Sequence, residues 1–149
     1  MPAILGKMNR ISRCGALFRA EKLPISDLTP CQHSFVFAIC KHPGSTQERL
    51  AQHLCLNKST VARTLTQMEA NGYVTRIADQ KDKRAFLIYP TEKMQQVLPL
   101  VRAITHEWNE RLAEKIPQDE LEIFLSVLAR MADRAKELTG GNDEGEDVK

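Results

Sequence analysis

Lys58, Ser59, Thr60, Arg63, Thr64 and Gln67 recur at steps that place polar groups along one helix, and three cations, Lys81, Lys83 and Arg84, crowd a short segment further on. Arginine can grip a guanine edge with two parallel hydrogen bonds, and serine or threonine can bond bases or phosphates. A helix N-terminus adds free N–H groups, which suit phosphate. Like charges crowded on an exposed turn repel one another, and an external anion relieves that repulsion. The chemistry on offer is therefore recognition of a polyanion. Asp82 sits among the cations and would avoid phosphate, so it is expected to pair with a neighbouring basic side chain and brace the loop.

These side chains need a scaffold, and the apolar spacing supplies one. Val61, Leu65 and Met68 stand four and three residues apart, which predicts a helix over about 58–70 with one buried stripe. Asn71-Gly72 ends it with residues that tolerate a left-handed backbone. Upstream, Ser45 or Thr46 can cap a shorter helix whose Leu50, Ala51 and Leu54 face inward. Two short helices joined by a brief turn make a helix-turn-helix. Tyr73–Arg76 and Ala85–Tyr89 then read as two strands around a charged tip. A hairpin directly after a helix-turn-helix is a winged helix.

The flanks are helical. Ile4, Met8, Ile11, Gly15 and Phe18 share a face over residues 3–22, which Pro24 terminates, and Thr29-Pro30 starts a further helix that His42-Pro43-Gly44 stops. Met94, Val97, Leu98, Val101, Ile104, Trp108 and Leu112 mark a long helix containing Pro99, and Leu121 to Leu138 carry a last apolar stripe. The fold class is mainly α: a winged helix-turn-helix with a two-stranded β wing, between N- and C-terminal helices. Its parts are an N-terminal helix and linker over 1–30, the winged helix over 31–91, C-terminal helices over 92–139 and a disordered acidic tail over 140–149. The flanking helices carry more apolar stripe than a small winged helix covers, which predicts a homodimer.

Composition bounds the rest. The chain has 149 residues, 42% hydrophobic and 27% charged, with a net charge of +2. That charge is uneven. Residues 41–90 hold eight Lys and Arg against four Asp and Glu, while residues 91–149 hold eight against thirteen. The basic middle suits an anionic partner. No signal-peptide run and no membrane-length apolar stretch is present, which points to a cytoplasmic protein with no membrane partner. Cys14, Cys31, Cys40 and Cys55 are scattered without a CxxC pair. His42, His53, Cys31, Cys55 and the pair His106 and Glu110 are metal-ligand types without a compact four-ligand spacing, so no metal and no cofactor is expected. Phosphate-loop, GxSxG and HExxH patterns are absent, and the expectation is a protein that is not an enzyme.

The runs LTPCQ (28–32), HPGSTQERLAQHL (42–54), NKSTVARTLTQMEANGYVTR (57–76) and DQKDKRAFLIYPTEK (79–93) resemble the MarR family of transcriptional regulators. The resemblance spans about residues 5–138. It implies an obligate homodimer with interlocked first and last helices, binding double-stranded DNA. Position by position, Ser59, Thr60 and Arg63 fall where the family's recognition helices contact DNA, Arg84 matches the wing-tip arginine, and Asp82 matches the aspartate that braces it. Lys83 replaces a common arginine, and Met94 stands where a glycine usually follows Glu-Lys.

The same resemblance implies a small aromatic or phenolic effector in a crevice between the dimer helices and the winged helix. His33, Phe37 and Trp108 are its expected lining. The function so implied is a sequence-specific regulator, a repressor in most cases, that reads a pseudo-palindromic operator and is released by a ligand. The alternatives are a thiol-based redox sensor of the same fold and a winged helix used for protein contacts; the polar face at Lys58, Ser59, Thr60 and Arg63 argues against the latter.

Overall fold

The structure, a computed structural model, describes residues 3–140. The expected acidic tail therefore lies outside the described residues except for Gly140. One compact unit runs through Glu110 and a second begins at Arg111.

In the first unit, α1 (Ile4–Lys22) leads through a turn into a single 3-10 turn, Pro30–Gln32, and α2 (His33–Lys41). The entry is held locally, because the Thr29 N–H donates to the Gln32 side-chain oxygen at 2.9 Å. Next come α3 (Gln47–Leu54) and α4 (Lys58–Ala70). Each has a side-chain cap: Thr46 Oγ1 accepts the Arg49 N–H at 3.2 Å, and Asn57 Oδ1 accepts the Thr60 N–H at 2.8 Å. Between them Cys55 adopts the left-handed region, φ 53°, which lets the Leu56 N–H return to the Ala51 carbonyl at 3.0 Å. Gly72, φ 78°, closes α4 in the way its Asn-Gly sequence predicts.

The sheet has one strand more than the expected wing. β2 (Val74–Ala78) and β3 (Phe86–Pro90) form the antiparallel hairpin, with Arg76 opposite Ile88. A two-residue strand, β1 (Ser45–Thr46), lies on the other side of β3, giving the order β1-β3-β2. Gly44 makes this possible: at φ 83° it turns the chain after α2, and its N–H reaches the Ile88 carbonyl at 2.8 Å. Two residues carry no periodicity, so nothing in the sequence marks this strand.

α5 (Glu92–Ala113) runs unbroken through Pro99. Val36, Ile39, Val61, Leu65, Met68, Ile88, Met94 and Val101 are fully buried and join α2, α4, β3 and α5 into one core. At about 25 cal/mol per Å² of apolar surface removed from water, such side chains contribute roughly 1.5–3 kcal/mol each. α1 contributes little: only Gly15 is buried, while Ile4, Met8 and Ile11 stay exposed. The second unit consists of the end of α5 and α6 (Gln118–Leu138), no residue of which is buried. Ile123, Phe124, Leu125 and Leu138 are all more than half exposed.

Candidate nucleic-acid interface

The rotation of α4 is fixed by Val61, Leu65 and Met68, each with no exposed surface. Lys58, Ser59 and Arg63 consequently face outward, with Thr60 and Thr64 half-buried beside them. With the Thr60 N–H taken by Asn57, the first N–H groups of the helix are left directed outward, as at any helix start. Lys58 Nζ rests on Glu48 Oε1 at 3.0 Å, but both side chains are largely exposed, so a phosphate can displace that carboxylate at little cost.

Thr60, Thr64 and Gln67 form a second stripe along the edge of a crevice, with the two threonines half-buried and Gln67 exposed. Gln67 also has a partner within the fold. Its Oε1 accepts a hydrogen bond from Gln32 Nε2 at 3.2 Å, so the amide is engaged within the fold.

At the hairpin tip Lys81, Lys83 and Arg84 are exposed. Asp82 braces the turn differently from the expectation: its Oδ1 accepts the Arg84 backbone N–H at 3.0 Å, where a basic side chain was expected. Asp79 does the same for the Lys81 N–H at 3.0 Å. The carboxylates thus shape the backbone, and the cationic side chains remain available. At the hairpin base Arg76 forks onto Glu69 of α4 at 3.1 and 3.2 Å, and its hydrogen bonds hold the Glu69 carboxyl below the usual range. Arg76 was not singled out from the sequence; an arginine inside a strand, with a glutamate at the end of the preceding helix, is the signal that marks it.

Asp27 gathers three residues, two from the turn after α4 and one from α5. Tyr73 Oη donates to its Oδ1 at 2.7 Å, Lys93 pairs with its other oxygen, and Asn71 Nδ2 donates to its backbone carbonyl at 3.0 Å. Hydrogen bonds from Lys93 and then Tyr73 pull the Asp27 carboxyl below its ordinary range, and burial together with Asp27 raises the Tyr73 phenol.

The crevice has a volume of about 620 Å³. Arg19 of α1, Gln32, His33 and Phe37 around α2, Leu54 and Leu56 before α4, and Thr105 of α5 line it together with the second α4 stripe. His33 and Phe37, named from the sequence as lining of an effector crevice, are among the residues that border this one. Trp108 does not line the crevice: its ring packs against Phe18 at 5.4 Å and over Gly15, whose missing Cβ leaves the room. His33 Nδ1 and Arg19 Nε are buried without a hydrogen-bond partner. Burial, and then the Arg19 charge, push the His33 imidazole down to about 4, so it is neutral at pH 7. The two histidines His42 and His53 meet edge to face at 5.6 Å, and no group of three metal-ligating side chains forms among the described residues. No described helix is long and apolar enough to cross a membrane.

Comparison with known proteins places this geometry. The MarR family profile matches residues 26–85. The uncharacterised HTH-type transcriptional regulator YybA of Bacillus subtilis is 30% identical over 105 residues, covering 70% of each chain. The crystal structure of MarR superposes with a TM-score of 0.83 at 27% identity, covering 94% of this chain and 95% of that one. A MarR family regulator from Listeria monocytogenes, solved in complex with 26mer DNA, shares the fold with a TM-score of 0.84 at 23% identity, covering 98% of this chain and 100% of that one.

Proposed function

The chain belongs to the MarR family of transcriptional regulators, and on that premise we propose that it is a homodimeric repressor that binds double-stranded DNA sequence-specifically in the cytoplasm. Its operator is a pseudo-palindrome. α4 enters the major groove and the wing reaches the minor groove. Arg63 reads a base edge, Lys58, Ser59 and Thr60 hold backbone or base atoms, and Lys81, Lys83 and Arg84 meet phosphate or the narrow groove. The observation that carries this reading is the outward face of α4 beside a wing whose backbone is braced and whose cations are exposed. The DNA complex of the Listeria relative adds support.

Dimerisation is supported by the exposed apolar side chains of α1 and α6, whose burial against a second copy would stabilise both chains. Two heads held this way would read half-sites spaced by about 34–36 Å. The crevice supports release by a small aromatic or phenolic ligand, which shifts the heads only by its differential affinity for the two arrangements. Repression follows from an operator that overlaps a promoter.

The test is fluorescence anisotropy of the purified protein on duplex DNA from upstream of its own gene, across several salt concentrations, with random duplex as competitor. Specific binding that weakens steeply with salt supports the reading. Equal, weak and salt-insensitive binding to every duplex overturns it.

A further inference from the structure

Arg76 joins four elements with one side chain. Nε donates to Glu69 Oε2 at 3.2 Å and Nη2 to Glu69 Oε1 at 3.1 Å, a bidentate fork onto the last turn of α4. Nη2 also reaches Thr66 Oγ1 on the same helix at 3.4 Å, and Nη1 reaches Gln47 Oε1, the first residue of α3, at 3.4 Å. The guanidinium carbon lies 6.0 Å from the centre of the Phe86 ring on β3. Its side chain is 21% exposed, while the cations at the wing tip are exposed.

This arrangement matters because the wing tip is tied mainly to itself. The bonds from Asp79 to Lys81 and Ala85, and from Asp82 to Arg84 and Ala85, all stay within the hairpin. A free hairpin twists and bends about its base. Beside the buried core that Val74 and Ile88 share with the α4 stripe, Arg76 supplies the oriented polar tie between that base and α4. An arginine fork fixes orientation as well as distance, which a lysine at the same place cannot do.

We propose that Arg76 is a positioning residue for DNA reading: it locks the wing to the recognition helix, so that Arg84 and Arg63 meet the duplex at one fixed separation. The inference rests on the DNA-binding reading above. It differs from a direct phosphate contact in the sign of a simple experiment. Replacing Glu69 removes a negative charge next to the DNA face, which electrostatics alone would turn into tighter binding. Positioning by Arg76 requires the opposite, because the fork loses its anchor.

Salt titrations of the full-length protein on a random-sequence duplex, read by anisotropy, test this with Glu69→Ala, Arg84→Ala and the double variant. The expected result is about fivefold weaker binding by Glu69→Ala and a salt slope reduced by about one contact, with no further loss when Arg84→Ala is added. Arg76→Lys, which keeps the charge and loses the fork, is the second variant and should show the same slope deficit at an unchanged melting temperature. Tighter binding by Glu69→Ala, or losses that add in full with Arg84→Ala, overturns the inference. A wild-type protein without salt-dependent duplex binding overturns the DNA reading itself, and the inference with it.

Discussion

Tyr73 and Asp27, 46 positions apart in sequence, are joined by a 2.7 Å hydrogen bond from the phenol to the carboxylate. Tyr73 is 1% exposed, and the bond sits where α4 gives way to the wing. Lys93 lies over the same ring, 4.4 Å from its centre, and pairs with Asp27 from the start of α5. Tyr73→Phe keeps the ring and the cation above it while deleting the donor. It should lower stability by about 1.5–3 kcal/mol, as for other hydrogen bonds to a charged group, in urea denaturation at pH 7. A variant as stable as the wild type would show that Lys93 alone satisfies the carboxylate.

His33 makes stability depend on pH. The unfolded chain holds its imidazole near 6.5 and the fold holds it at about 4, so between those values the unfolded state takes up the proton. The contribution is complete above pH 6.5 and is lost progressively as pH falls toward 4. At ~1.4 kcal/mol per pH unit the loss approaches about 3 kcal/mol. Urea melts of wild type and His33→Gln from pH 7 to 4 isolate it, because the carboxylates titrate in both and only the wild type carries the histidine slope.

Arg63→Ala and Arg84→Ala should fail in different ways. If Arg63 reads a guanine, its loss costs about 1–3 kcal/mol on the operator and relaxes preference at one base pair. Arg84→Ala should weaken operator and random duplex alike and flatten the salt dependence. Competition binding at two salt concentrations separates them; an unchanged salt slope in Arg84→Ala would remove the wing from the interface.

Phe124 and Leu125 stand more than half exposed on α6. Phe124→Glu places a charge in the apolar face that a second copy would cover, and a desolvated unpaired charge is costly. Sedimentation velocity should find the wild type dimeric and the variant shifted toward monomer. A wild-type monomer at micromolar concentration would end the dimer proposal.

Much of the scaffold was legible because it rests on local rules. The four- and three-residue steps of Val61, Leu65 and Met68 set both the existence and the rotation of α4, and Asn71-Gly72 set its end. What escaped depends on contacts distant in sequence. β1 exists only because Gly44 turns back to Ile88. Gln67 looked like a free polar residue until Gln32, brought from 35 positions away, took up its amide. Trp108 has the right spacing after Ile104 to join the crevice wall, yet Gly15 of another helix offers it a niche, and niches between helices have no sequence period.

That niche gives the protein an internal optical probe. Trp108 is the sole tryptophan of the chain, and its indole is held against Phe18 and the open backbone of Gly15. Excited at wavelengths beyond tyrosine absorption, which silences Tyr73 and Tyr89 at the wing, its emission reports on how α1 rests against α5. A label-free titration watching that colour would see any ligand or partner that shifts α1, and would stay silent to events confined to the wing.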